Sequence, residues 1–489
     1  MKRYRLFITC LVLSLVSLST VAQENLSPRG CRRGTPRPVY LSRGDSQNGT
    51  PGGDFYHGER HQLTVLAAFN DRPFVGDETA TLIQWDKILN TKGLMEEPFK
   101  GSVHDYFLDQ SYGDFSVIFD LVYVQLAADA KKYASTAEND ENSQYLVQDI
   151  VDVLKTYDID WSKYDWNDNG YINQLLIIHA GYGMNDSQGD DQIWPHQWWM
   201  SEHLKDGQEG VYCEPIPVSA GGKDYLVDCY CAVAEQTKYD DYATFGTICH
   251  EYTHCFSFPD FYNGETSYLY GWDLMDTGCY NGGGFQPVGY SAHERWLMGW
   301  LTPVELKETT SITAMPALAD EGRAYLIRND GYENEYYMVE NRQPTGWDAA
   351  LPGSGITIFH IDYDPSVWAS TIVATNSSKR KRCVLFHAND NKTAYADWAY
   401  PYEENNSLTN TSTPAATLFN ANSDGTMLMS KPITNMTVTS GLASFDFTAE
   451  TTGINELTTG TGTSQLLYRI GIIDIVRDAN GNVRKVINR

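Results

Sequence analysis

Hydrophobic and polar positions fall into two regimes along this 489-residue chain. Up to about residue 300, apolar runs of strand length alternate with stretches of helical spacing. The pattern predicts a strand at 63–69, helices at 82–89 and 103–110, a strand at 115–126 and a helix at 143–157. A buried strand at 171–179 carries Ile172, Leu175, Leu176, Ile177 and Ile178. Beyond residue 300, short β-rich runs recur between turn residues, at 324–328, 336–340, 355–361, 383–387 and 442–447, which is the pattern of a β-sandwich-like module. The expected fold class is α+β, with one domain at 59–302 and a β-rich domain at 303–449. A Thr/Gly-rich linker follows at 450–464, and a C-terminal hairpin or tail at 465–489 would turn at Asn480-Gly481.

The N-terminus follows a different pattern. Lys2, Arg3 and Arg5 precede a short apolar run, and Thr20-Val21-Ala22 offers a small-residue cleavage site, so residues 1–22 read as a signal peptide. The run is shorter than the roughly 20 residues of a membrane span. Residues 23–58, rich in Gly, Pro and Arg, read as a leader or pro-segment. The protein is therefore expected to be secreted, without stable membrane insertion. A net charge of −27 argues against nucleic acid as a partner and leaves oligomeric state open. Eight cysteines follow the signal peptide, and export predicts that some of them pair. Cys31, in the leader, is also a candidate to cap a metal before activation.

The chemistry centres on His250-Glu251-Tyr252-Thr253-His254. Histidines four apart on a helix share a face and can reach one tetrahedral ion, while the intervening glutamate can take the proton of an attacking water. Pro259 is expected to end the helix, and Asp260 can return as third ligand after a sharp turn. Glu294, on an expected helix at 290–298, is the alternative, and Asp260 is preferred. Met275 lies in a tight turn that can floor the site.

Several stretches carry a family likeness. They are Gly101-Ser102-Val103-His104-Asp105-Tyr106-Phe107, Ile193-Trp194-Pro195-His196, and the run from Gly246 through the histidines to Asp260. Trp272-Asp273-Leu274-Met275-Asp276, Gly299-Trp300-Leu301, Glu340-Asn341-Arg342 and Phe359-His360-Ile361-Asp362 continue it. With these, the chain resembles the immune inhibitor A-type family of secreted bacterial metallopeptidases. The resemblance implies a metzincin-like zinc-peptidase domain followed by β-rich structure, with His250 and His254 as zinc ligands, Glu251 as general base and Met275 in the Met-turn. It implies a secreted zinc endopeptidase acting on proteins or peptides, the alternative being an inactive exported binding protein on the same fold. Ser257 stands where the family usually has glycine. A serine in a left-handed helix end costs about 1 kcal/mol.

Asp165, Asn167, Asn169 and Asn173 match the first half of an EF-hand loop, with Gly170 at its sixth position. Leu176 replaces the expected glutamate, so a structural Ca2+ competes with an ordinary Asn/Asp turn. His196, Tyr280 and His360 are candidates for substrate or oxyanion contacts, against plain structural roles. Trp194, Trp198 and Trp199 line a cleft or fill core. The basic run from Lys379 to Arg382 reads as a solvated strand edge or loop.

Overall fold

The computed structural model describes residues 56–449, apart from 135–141, 188, 190, 209, 265, 369–373 and 391–394, together with four strands within 456–487. The expected signal peptide, nearly all of the leader, Cys31 and the Asn480-Gly481 turn lie outside the described residues.

The chain opens with β1 (Gly58–Ala68), α1 (Glu78–Asn90), α2 (Val103–Gln110), β2 (Phe115–Gln125) and α3 (Ser143–Leu154). It continues through β3 (Tyr171–Ile172), β4 (Leu175–Tyr182), α4 (Met184–Ser187), β5 (His196–Trp199), β6 (Ile216–Ala220), β7 (Lys223–Val227) and β8 (Cys229–Gln236) to α5 (Phe245–Cys255). The main sheet runs β2-β1-β4-β8-β5, parallel except for the last strand, which pairs antiparallel with β8. A parallel strand covered on both faces should be apolar throughout. Accordingly, every residue of β8 is buried, as is Leu175 through Ala180 of β4. Helix α2 begins with a capping box in which Ser102 and Asp105 satisfy each other's backbone N–H groups.

After α6 (Ala292–Leu297) come β9 (Val304–Glu305), β10 (Thr310–Met315), α7 (Leu318–Glu321), β11 (Tyr325–Arg328), β12 (Glu335–Arg342), β13 (Gly355–Asp362), α8 (Pro365–Trp368), β14 (Cys383–Leu385), β15 (Ile433–Thr439) and β16 (Leu442–Phe447). They form a five-stranded sheet, β14-β13-β12-β11-β9, and a three-stranded sheet, β10-β16-β15. The mixed α/β content agrees with the expected class, but no gap in packing marks the boundary expected at 302–303. One compact unit runs through Phe447, and Leu326, Tyr336, Met338 and Phe359 share a core with Leu176, Ile248 and Met275. A buried ionic knot reinforces this join. Arg342 pairs with Asp348 at 2.8 Å and Glu340 at 3.1 Å and donates to the Gly289 carbonyl, while Glu340 accepts from Ala292 N at 2.6 Å. A buried guanidinium is tolerated only when paired and hydrogen-bonded in this way.

Residues 448–489 form a second unit. It holds an antiparallel sheet of β17 (Glu456–Thr459), β18 (Gly462–Ile470), β19 (Ile473–Arg477) and β20 (Val483–Ile487). Strands β19 and β20 pair antiparallel within the span read as a C-terminal hairpin or tail, and part of the span read as a linker is strand. Turn-rich composition at 450–464 concealed Glu456–Thr459 because threonine also suits strands.

Candidate metal centre

Helix α5 is buried along its whole length, which a two-histidine motif on a surface helix would not need. Its position depends on Gly246, where a Cβ would come within 1.9 Å of the Cys279 carbonyl oxygen. The helix therefore packs directly against the turn that follows Met275. It ends earlier than expected, at Cys255, well short of Pro259. Ser257 takes the left-handed conformation, φ 70°, and its N–H bonds the His254 carbonyl at 2.8 Å. Serine thus performs the reversal usually left to glycine.

That reversal delivers Asp260 to the histidines. Its Oδ1 lies 3.3 Å from His250 Nε2 and 3.2 Å from His254 Nε2. Each imidazole is fixed from behind: His250 Nδ1 lies 2.7 Å from the Leu274 carbonyl and His254 Nδ1 lies 2.8 Å from that of Phe258. A carbonyl only accepts, so Nδ1 carries the proton and Nε2 faces inward with its lone pair. His254 Nε2 and Asp260 Oδ1 are buried without a hydrogen bond. Orphaned polar atoms in a core are costly unless something absent from the protein chain satisfies them. A tetrahedral zinc ion with bonds of about 2.0–2.1 Å has ligand–ligand edges of about 3.3–3.4 Å, which the Asp260–histidine separations match. Among the described residues, this is the one trio of such side chains close enough to share an ion. The donor set fits a zinc-type metal.

Without an ion, a proton takes its place. Burial disfavours the charged His250, but the carboxylates of Asp260 and Glu251 outweigh it and push its pKa up to about 9. Burial likewise opposes ionisation of Asp260, and the two imidazoles overcome it, holding the carboxyl down at about 2. The cluster is built to attract a cation.

Met275 is fully buried beneath the site. Its N–H bonds Asp273 Oδ1 at 2.9 Å, and its carbonyl accepts from Phe261 N at 2.8 Å, tying the turn to the residue after Asp260. A cavity of about 30 Å³, room for one or two waters, opens over His250 and Glu251 and is also lined by Asn185, Trp194, Thr247, Tyr262, Cys279 and Tyr280. Burial pushes the Cys279 thiol well above its ordinary range, and it donates to the Asp276 carbonyl, so it is no competing thiolate ligand.

Of the other candidates, Tyr280 lines this cavity, whereas His196 and His360 do not. His196 is held on β5 between the Trp194 carbonyl and the Tyr230 hydroxyl. His360 bonds Glu335 at 2.7 Å. Glu294, the rejected third ligand, caps α6 through Ser291, and burial raises its pKa to about 7. The Asp165–Asn173 loop closes on itself. Asp165 accepts from Asn169 N and Gly170 N, Asn169 from Tyr171 N, and Asn173 from Trp166 N, while the Lys223 ammonium lies 3.6 Å from Asp165. Asn167 Oδ1 alone of these oxygens is buried without a partner. The Asn/Asp turn accounts for this geometry, and calcium finds no support in it. The seven cysteines among the described residues are free thiols, so the expected pairing is not found among them.

Sequence reasoning had no access to Asn185, Thr247, Tyr262 or Cys279. Each reaches the cavity through a loop or a helix turn with no metal-ligand spacing of its own.

This site lies within a recognisable peptidase domain: residues 89–300 match the immune inhibitor A peptidase M6 catalytic domain. A curated relative, Immune inhibitor A of Bacillus thuringiensis subsp. alesti, is 25% identical over 253 residues, covering 46% of this chain and 34% of that protein. The chain thus matches about a third of the relative's length. The resemblance read from the sequence is borne out over this region: residues 89–300 are similar to the immune inhibitor A-type peptidases, a family whose members are in general metal-dependent.

Proposed function

We propose that this protein is a secreted, zinc-dependent endopeptidase with a metzincin-like site that cleaves protein or peptide substrates. The observation that carries the reading is the convergence of His250 Nε2, His254 Nε2 and Asp260 Oδ1, two of these atoms being buried without a hydrogen bond. His250, His254 and Asp260 would hold the zinc. When bound there, the ion supplies a Lewis acid for the scissile carbonyl and acidifies the attacking water. Glu251, one residue along the helix and lining the same cavity, takes the proton of that water and passes it to the leaving amine. Tyr280 lines the wall where a hydroxyl can donate to the developing oxyanion.

Secretion rests on the basic–apolar–small order of residues 1–22. No helix among the described residues is long and apolar enough to cross a membrane. The rival, an inactive binding protein, drew on Ser257, and that residue adopts the required left-handed turn with an intact helix-end hydrogen bond.

The test is Glu251→Ala. It should retain about one zinc per chain by atomic emission while casein hydrolysis falls by about 10²–10⁴-fold. Wild-type activity in that variant, or chelator-insensitive hydrolysis by the wild type, would refute the mechanism.

A further inference from the structure

A second cavity, of about 520 Å³, lies against the loop that leaves the metal centre. Its size suits a bound ligand. The walls are aromatic and already stacked. Tyr270 lies parallel to Tyr395 at 5.1 Å and edge-on to Trp398, and His387 stacks on Trp398 at 3.6 Å. Phe386 and Phe419 sandwich His360 deeper in. Tyr270 is exposed and held at φ 50°. A bulky residue in the left-handed region is strained, and such strain persists where the surroundings fix a side chain for use.

Charge narrows the ligand. In a chain of net charge −27, no Asp or Glu among the described residues lines this cavity. The basic run at its rim divides by function. Arg380 and Arg382 each pair with buried Asp362 at 2.7 Å, so this part of the run is not simply solvated. Lys381 instead lines the cavity, its ammonium 5.6 Å from the Tyr268 ring centre, with no ion pair to a carboxylate among the described residues. An exposed ammonium above aromatic walls selects an anion that carries a flat apolar group.

The two cavities share one loop. Ser267 and Tyr268 line the aromatic cavity and are pinned to Asp276, the serine through its hydroxyl and Tyr268 through its N–H at 2.9 Å. Asp276, and Tyr262 at the loop's start, line the catalytic cavity. We infer that the aromatic cavity is a second recognition site, which binds an acidic, aromatic-bearing segment of the peptide substrate while another segment occupies the metal centre. The identity of the occupant as substrate rests on the peptidase reading, but its chemistry rests on the cavity alone.

The experiment therefore measures binding without turnover, on full-length protein carrying Glu251→Ala. The probes are acetyl-aspartyl-phenylalanine amide, its asparaginyl and alanyl analogues, and a neutral oligosaccharide (maltohexaose), followed by calorimetry. The acidic aromatic probe should bind at least about tenfold more tightly than either analogue. That preference should be lost in Lys381→Ala and Tyr270→Ala and restored in Lys381→Arg and Tyr270→Phe. In the wild-type enzyme, Lys381→Ala should raise KM for an extended acidic substrate and leave kcat unchanged. Equal binding of the three dipeptides, variants that bind like the parent, or preferential capture of the oligosaccharide would each overturn the proposal. Binding with the expected preference by a protein that hydrolyses nothing would instead overturn the peptidase reading and leave the site standing.

Discussion

Two buried groupings in this molecule have the same ingredients, imidazole and carboxylate, and opposite outcomes. In the β12–β13 pair, His360 Nε2 meets Glu335 at 2.7 Å, and the remaining Glu335 lone pairs accept from Phe419 N, Asn420 N and the Asn329 and Asn420 side chains. That carboxylate is fully satisfied, and the pair is structural. At the candidate metal centre, backbone carbonyls hold the Nδ1 side of both imidazoles, while His254 Nε2 and Asp260 Oδ1 face each other at 3.2 Å without a hydrogen bond. What distinguishes a binding site from a structural pair is the direction of the unsatisfied atoms, more than the identity of the residues.

The sharpest way to break this contrast is to remove the third donor. Asp260→Ala should abolish zinc retention and, with it, casein hydrolysis, by at least about a thousandfold. Glu294→Gln should keep stoichiometric zinc, because its carboxyl caps α6 and lies outside the trio. Zinc content by atomic emission on both variants decides it, and the reverse pattern would move the third ligand to Glu294.

The meeting of Asp260 with the two histidines was legible in the sequence because it is local. The histidines are four positions apart and Asp260 is six positions past His254, so helix pitch and one turn fix their meeting. The strands at 115–126 and 355–361 were legible for the same reason, from runs that become β2 and β13. The fate of His196 and His360 was not. A lone histidine reads alike whether its partner is an ion, a tyrosine or a glutamate, and the partners Tyr230 and Glu335 lie 34 and 25 residues away. The join across 302–303 was hidden too, because the Arg342–Asp348–Gly289 contacts depend on loops that carry no periodic signal. Cys279 carries no signal in the sequence beyond that of any cysteine in an exported chain.

A smaller effect should follow from the packing that sets α5. Gly246→Ala puts a methyl group against the Cys279 carbonyl, backbone that cannot swing aside, so the helix must shift from the Met275 turn. Overpacking of this kind costs about 1–3 kcal/mol. Chemical denaturation should register that loss together with weaker zinc retention. Stability lost with zinc affinity unchanged would mean that the helix position does not set the ligand geometry.

The structural pair should respond in the opposite sense. His360→Ala leaves a Glu335 oxygen without its imidazole partner, which costs about 1–3 kcal/mol. Zinc content and kcat on short peptides should stay at wild-type values. A variant that folds but loses its zinc would show the two groupings to be coupled and remove the distinction drawn between them.

The smallest expected effect, and the most discriminating for the metal centre, is a single proton. In metal-stripped protein the His250 pKa is raised from 6.5 to about 9, so the stability it contributes is fully present below pH 6.5 and is lost as pH rises through about 9. Asp260 is depressed from 3.8 to about 2, so its contribution is present above pH 3.8 and is lost as pH falls through about 2. Between those windows the empty cluster is held together by its own proton. Zinc needs the Nε2 lone pair, so that proton must leave as the ion enters. Titrating zinc into stripped protein at pH 7.5, in two buffers of different ionisation enthalpy, should give heats that differ by about one proton per ion bound. The difference should fade above pH 9, where His250 is already neutral. Zinc uptake with no proton release at pH 7.5 would mean that the histidines are not gathered around Asp260 in the stripped protein, and that the ion assembles the site instead of finding it formed.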